Sequence, residues 1–254
     1  PDGKYAVTRN AVSLSFEFDN KQPPAMYLVE LESGEARELF AGERFEIGHV
    51  AWQPDSAAFY FTSRFSTHPI YTTAAVQRAY YYALNSNGPR RVDLDWKRSL
   101  GSGTIHATPT GFVGLLADGV HFRPARYTKR GNTWDRANIS GDHVPNVFEL
   151  TAGADGETVV YSYSTASDPG GWYRAKLRGA ALSQSTAITA LNKGYEKKPK
   201  PKTEIVHWTG ARGDTVEGIL HYPLDYVEGR RYPTSLVIHG GPAGLDLGAW
   251  GVSW

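Results

Sequence analysis

The run Met26-Tyr27-Leu28-Val29-Glu30-Leu31 alternates in character. Glu32-Ser33-Gly34-Glu35 then interrupts it with turn-forming residues, and residues 36–40 resume an apolar-rich stretch. A period of two sends successive side chains to opposite faces of a strand, and a short polar break containing Gly joins two such strands as a hairpin. The same pattern recurs at residues 79–84 with Asn85-Ser86-Asn87-Gly88, and at 172–177 with Arg178-Gly179. A second kind of turn also repeats: Pro1-Asp2-Gly3, Pro54-Asp55-Ser56, Pro109-Thr110-Gly111 and Ala154-Asp155-Gly156, with starts 53, 55 and 45 residues apart. Each is followed by an apolar or alternating stretch, at residues 5–7, 57–61, 112–116 and 158–163. Pro presets φ at the second corner of a type I turn, while Asp and Gly accept the positions after it, so each tripeptide predicts a further hairpin. Two hairpins make four strands, and a repeat of about 45–50 residues is the size of a propeller blade. Residues 1–191 are therefore predicted to be a partial β-propeller with about four blades visible. An ordinary β-sandwich is the competing reading, and the regular spacing with matched flanks favours blades.

Composition agrees with a mainly β chain. Of 254 residues, 13% are aromatic, with 27 Gly and 15 Pro, a mixture suited to short strands and frequent turns. Lys and Arg number 27 against 26 Asp and Glu, a formal charge of +1 that gives no basic excess for binding nucleic acid. No apolar run approaches the roughly 18 residues that a membrane-spanning helix needs. Cysteine is absent, which removes disulfides, thiolate catalysis and Cys-based zinc sites. The chain opens on Pro1 with no initiator Met and stops at Trp254 soon after a Gly-rich turn; it reads as a fragment of something longer.

The repeat ends after Leu191. Residues 192–202, Asn-Lys-Gly-Tyr-Glu-Lys-Lys-Pro-Lys-Pro-Lys, are polar, basic and Pro-interrupted, and predict an extended linker. Residues 204–208 and 215–220 flank Gly210-Ala211-Arg212-Gly213-Asp214 as another hairpin, a turn that explains the Arg-Gly-Asp tripeptide without an integrin role. Pro233-Thr234-Ser235-Leu236-Val237-Ile238-His239 is short and apolar on both faces, as a strand buried in a parallel sheet should be. It runs into Gly240-Gly241-Pro242-Ala243-Gly244. Glycines at the carboxyl end of such a strand let a substrate approach the backbone, and free N–H groups there can stabilise an oxyanion. The plain alternative is a Gly-rich turn that only links two elements.

From about Trp172 onward the sequence resembles the prolyl oligopeptidase family of serine peptidases, particularly its acylaminoacyl-peptidase and dipeptidyl-peptidase-V-like branch. The residues that carry the resemblance are Thr189-Ala190-Leu191-Asn192, Glu217-Gly218-Ile219-Leu220-His221-Tyr222-Pro223, Arg231-Tyr232-Pro233 and Leu236-Val237-Ile238-His239-Gly240-Gly241-Pro242. The family joins a β-propeller to a C-terminal α/β-hydrolase domain. The resemblance implies a propeller portion at 1–191, a linker at 192–202 and the first strands of a truncated α/β-hydrolase domain at 203–254. It also implies that the backbone N–H of Gly241, beside Gly240, is an oxyanion-hole donor and that His239 shapes the loop. Prolyl oligopeptidase itself carries a Tyr hydroxyl donor where His239 stands. The departure implies a backbone donor instead and does not carry over cleavage after proline.

The implied activity is hydrolysis of short peptides through an acyl-enzyme, with no cofactor or metal. The branch has both cytosolic and exported members, so compartment is left open. No Gly-x-Ser-x-Gly elbow lies in these residues. Gly251-Val252-Ser253 stands only nine positions after Pro242, too close for the helix and strand that must intervene, so Ser253 is not assigned as nucleophile. The eight histidines (49, 68, 106, 121, 143, 207, 221 and 239) show no metal-ligand spacing. A propeller scaffold with a degenerate hydrolase domain, and an esterase acting on non-peptide esters, are the alternative functions.

Overall fold

The computed structural model describes residues 1–10, 25–43, 45–68, 75–240 and 244–251. Its regular structure is almost entirely β, in successive antiparallel sheets whose strands follow one another in chain order. The first sheet holds β1 (Tyr5–Arg9), β2 (Met26–Glu30) and β3 (Ala36–Leu39). The second holds β4 (Glu46–Trp52), β5 (Ala58–Phe65), β6 (Val76–Ala83) and β7 (Arg90–Arg91). The third holds β8 (Leu100–Thr108), β9 (Gly111–Asp118), β10 (His121–Arg130) and β11 (Thr133–Asn138). The fourth holds β13 (Val147–Ala152), β14 (Thr158–Thr165), β15 (Asp168–Arg178) and β16 (Ala181–Ala187). A two-residue strand, β12 (Ser140–Gly141), runs parallel to the outer edge of β16.

Three of the four repeated tripeptides form one turn with one chemistry. The third position has positive φ in Gly3 (72°), Ser56 (59°) and Gly156 (68°). The preceding Asp accepts the amide two residues on: Lys4 at 3.1 Å, Ala57 at 3.0 Å and Glu157 at 2.9 Å. An Asx turn of this kind ends one strand and starts the next. The Pro109-Thr110 link is tighter, since Thr108 pairs directly with Gly111. The first two of these turns touch, Asp2 N–H donating to Ser56 Oγ at 3.0 Å, and Arg126 of β10 reaches the next sheet's turns, donating to the carbonyls of Gly156 and Gly179.

The core forms where sheets face each other. In β5 the side chains of Phe59 and Phe61 join Met26, Leu28, Leu39 and Tyr82 on the side of the first sheet. Tyr60, between them in sequence, points the other way and packs with Leu100, Ile105, Phe112, Tyr127 and Trp134 of the third sheet and its approach. Strand β9 repeats the division: Phe112 and Leu116 face the second sheet, and Val113 and Leu115 join the cluster of the fourth. The second strands of the two middle sheets, β5 and β9, are therefore apolar on both faces. The large aromatic side chains of this core pair their polar atoms, Trp134 Nε1 donating to Tyr60 Oη at 3.1 Å and Tyr127 Oη to the Leu94 carbonyl at 2.7 Å.

One departure from the sequence reading lies in this region. The third unit also has its second hairpin, β10 with β11. It is hidden in the sequence because β10 carries Arg123, Pro124, Arg126, Lys129 and Arg130 and lacks clean alternation. Pro124 is tolerated because it lies one residue beyond the last β10–β11 pair, Ala125 with Asn138, where only its carbonyl is used, accepting Ile139 N–H at 2.8 Å.

After the sheets comes a one-turn helix, α1 (Lys193–Glu196), and then β17 (Thr203–Thr209) paired with β18 (Thr215–His221), the expected hairpin. The connection is pinned to the fourth sheet. Asn192 Nδ2 donates to the Gly170 carbonyl at 3.1 Å, Thr189 Oγ1 accepts Trp172 N–H at 3.1 Å, and Lys200 pairs with Asp168.

The predicted strand over residues 233–239 does not form. Those residues run as irregular chain, with Leu236 and Ile238 each 76% exposed. A parallel strand has no hydrogen bonds of its own to make, and among the described residues no strand lies alongside to supply them.

Leu177 is fully buried and Leu31 is largely exposed, so Leu177→Ala should cost about 2–5 kcal/mol and Leu31→Ala less than about 0.5 kcal/mol in urea unfolding. Asp155, held down to about 2 by the Thr158 and Glu157 amides and the Thr158 hydroxyl, gives a second check. Its folded value lies below the unfolded one, so its contribution is present above about pH 4 and lost as pH falls through about 2. Asp155→Asn should therefore be less stable than wild type at neutral pH, and the gap should narrow between pH 4 and 2.

Candidate active site

The Gly-rich loop is reached through a compact polar segment. Tyr222 N–H donates to the Lys202 carbonyl at 2.9 Å, which closes the β17–β18 hairpin one pair beyond its last strand residues. The Tyr222 ring stands 4.5 Å from that of Tyr226, which is 5.6 Å from Tyr232. Tyr232 Oη accepts Val227 N–H at 2.9 Å. Glu204 accepts the Tyr222 hydroxyl at 2.7 Å, a bond that raises this phenol above its ordinary value. This tyrosine cluster delivers the chain to Pro233 and the exposed run Leu236-Val237-Ile238.

Gly241, Pro242 and Ala243 lie outside the described residues, as does Ser253, so the structure places two of the three residues assigned from the sequence. Gly240 is exposed, with open space where a Cβ would stand. His239 is also exposed, and it leans on the far side of the loop. A Cβ on Gly244 would lie 2.8 Å from His239 Nδ1 and 2.5 Å from the Gly240 carbonyl oxygen. The two ends of the loop, Gly240 and Gly244, thus approach so closely that the second must be glycine.

Beyond the loop the chain returns to the bladed unit. Gly248 N–H donates to the Val120 carbonyl at 2.7 Å, and Trp250 N–H to Ser164 Oγ at 3.2 Å. Leu247 and Ala249 pack against the cluster of Phe122, Phe148 and Leu150, and Trp250 meets Tyr195 edge-on at 5.7 Å. On the other flank, Glu217 of β18 accepts Val120 N–H at 3.0 Å. His121, next in the turn, has its imidazole held below the usual value by burial, against the opposing pull of Glu217 and Asp118.

Glu217 and Gly244 enter the sequence reading only as members of quoted runs, without a role, and Gly248 does not enter it. An acidic residue inside the otherwise apolar run 215–220 is a visible oddity, but its partner lies 97 residues earlier, which no local pattern reveals. Among the described residues no three His, Asp or Glu side chains are grouped closely enough to hold a metal ion. None of the helices among those residues is long and apolar enough to cross a membrane.

Against solved structures, the chain is similar to an acylaminoacyl peptidase in complex with Z-Gly-Gly-Phe-chloromethyl ketone, at 15% identity and a TM-score of 0.67. It is also similar to Pyrococcus horikoshii acylaminoacyl peptidase, at 16% identity and 0.65. Each match covers 97% of this chain and 35% of the other. The chain shares the fold of these peptidases. It spans about a third of their length, and the match runs across both the bladed sheets and the residues after them. A prolyl endopeptidase structure matches 89% of the chain and 30% of its own at 11% identity and 0.55. No family model and no curated protein matches the sequence.

The close approach at the loop's ends makes a direct prediction. Gly244→Ala drives a methyl into a backbone carbonyl and should raise protease cleavage within 239–250 several-fold, whereas Gly240→Ala, with space around it, should leave cleavage unchanged.

Proposed function

We propose that this chain is part of a serine-type peptidase of the prolyl oligopeptidase kind that hydrolyses short peptides through an acyl-enzyme. In this reading residues 1–191 are propeller, 192–202 the connection, and 203–254 the beginning of an α/β-hydrolase domain. The observation that carries it is the fold shared with acylaminoacyl peptidase over 97% of the chain. In this reading His239-Gly240-Gly241-Pro242 follows the antiparallel sheets in the chain, the order in which such peptidases are built. Exposure of Gly240, with no side chain in the way, supports a backbone site open to a substrate carbonyl.

The division of labour follows from the chemistry. A serine from the longer protein attacks the peptide carbonyl, and a histidine accepts the serine proton and then gives it to the leaving amine. The amide of Gly241 neutralises charge on the carbonyl oxygen as the tetrahedral intermediate forms, a contribution that costs no reorganisation at the moment of reaction. His239 shapes the loop that presents this amide. The propeller restricts access to short peptides, in keeping with the peptidyl ligand in the matched structure.

The 254 residues hold no Gly-x-Ser-x-Gly, so this chain alone should show no turnover of aminoacyl or peptidyl esters. The longer protein should be labelled by a fluorophosphonate on a single serine in such an elbow. Turnover by residues 1–254, or a longer protein with neither elbow nor adduct, overturns the reading, and the second result points to a propeller scaffold.

A further inference from the structure

The turn between β9 and β10 is gripped twice by residues from far along the chain. Val120 N–H donates to Glu217 Oε1 at 3.0 Å, and the Val120 carbonyl accepts Gly248 N–H at 2.7 Å. Both main-chain polar groups of one turn residue are thus satisfied by the two segments that flank the Gly-rich loop. The fit is close on both sides. Gly119 has φ +66°, and a Cβ there would stand 2.3 Å from the Glu217 carboxylate. A Cβ on Gly248 would come within 3.2 Å of His121 Cε1.

The charges around Glu217 explain its choice of partner. Across the hairpin, His207 Nε2 lies 3.6 Å from Glu217 Oε2. On the turn side stand Asp118, His121 and Arg123, and the Arg123 guanidinium is already taken by Asp118 through Nε at 2.9 Å. No free cation of the turn competes for the carboxylate, which accepts a main-chain N–H instead. A carboxylate accepting an amide is a charge-assisted bond, stronger than one between neutral groups.

We infer that Glu217 is a positioning residue that, through Val120, ties the β17–β18 hairpin and the segment after the Gly-rich loop to one turn of the bladed unit. With the turn held from one side by Glu217, its carbonyl is presented to Gly248 from the other, four residues beyond the loop's closing glycine. The chain from Gly244 onward is then anchored to the β9–β10 turn rather than to the irregular residues 233–239. Its meaning for catalysis rests on the peptidase reading; the mechanical coupling does not.

Amide hydrogen exchange on the 254-residue chain tests the coupling. Glu217→Ala should speed exchange at Val120 and also at Gly248 by about tenfold, the loss expected of one charge-assisted hydrogen bond, while the β9–β10 ladder amides keep their protection. Glu217→Gln, whose side-chain oxygen still accepts, should restore part of the protection at both amides. Unchanged exchange at Gly248 in the Ala variant overturns the inference, as does a Gln variant no better than Ala, or a loss spread over the whole ladder. These outcomes are independent of serine labelling, so the coupling and the peptidase reading fail separately.

Discussion

The structure depends on strands that must be buried on both faces at once. Phe59 and Phe61 pack toward one neighbouring sheet and Tyr60 toward the other, and Phe112, Val113, Leu115 and Leu116 repeat the division one unit later. A strand of this kind is stable only between two other sheets, so no unit closes its own core. Apolar area is removed from water by adding a neighbour, and the sheets are obliged to stand side by side in chain order. Repetition of the Asx turn follows from the same need, because the stacking works only if successive strands start at matching heights.

That constraint extends past the repeats. The cluster formed by Phe122, Phe148 and Leu150 is completed on its open side by Leu247 and Ala249, which arrive more than a hundred residues after β10. The later part of the chain is thereby seated on the blade-like sheets through apolar contact as well as through Val120. Residues 244–251, which follow the Gly-rich loop, take their position from these contacts with the sheets.

Much of this is legible in the sequence because the turns are local. Pro54-Asp55-Ser56 and Ala154-Asp155-Gly156 announce themselves by residue type, and each sits between the strands expected of it. Alternation likewise reveals β2 and β3. The β10–β11 hairpin is hidden because β10 carries several charged residues and a Pro near its start, which mask the period. Residues 233–239 mislead for the opposite reason. Their composition encodes a strand correctly suited to a buried parallel sheet, yet strand formation is a property of pairs, and the pairing partners are not among the described residues. The grip of Glu217 on Val120 is the hardest to see in advance, since an acid in a strand names no partner, and the partner is a main-chain group that any residue but proline would supply.

One small element has a consequence for solubility. After β11 the chain lays Ser140 and Gly141 along β16 before entering the next sheet, and Gly141, at φ +111°, comes so close that any side chain would strike the Leu182 carbonyl. Two residues thereby occupy hydrogen-bonding positions that a stray strand from another molecule would otherwise find vacant. The molecule fences its own outer margin with the thread that connects its parts, and a bulkier residue at 141 would lift that thread and leave the margin open to polymerisation.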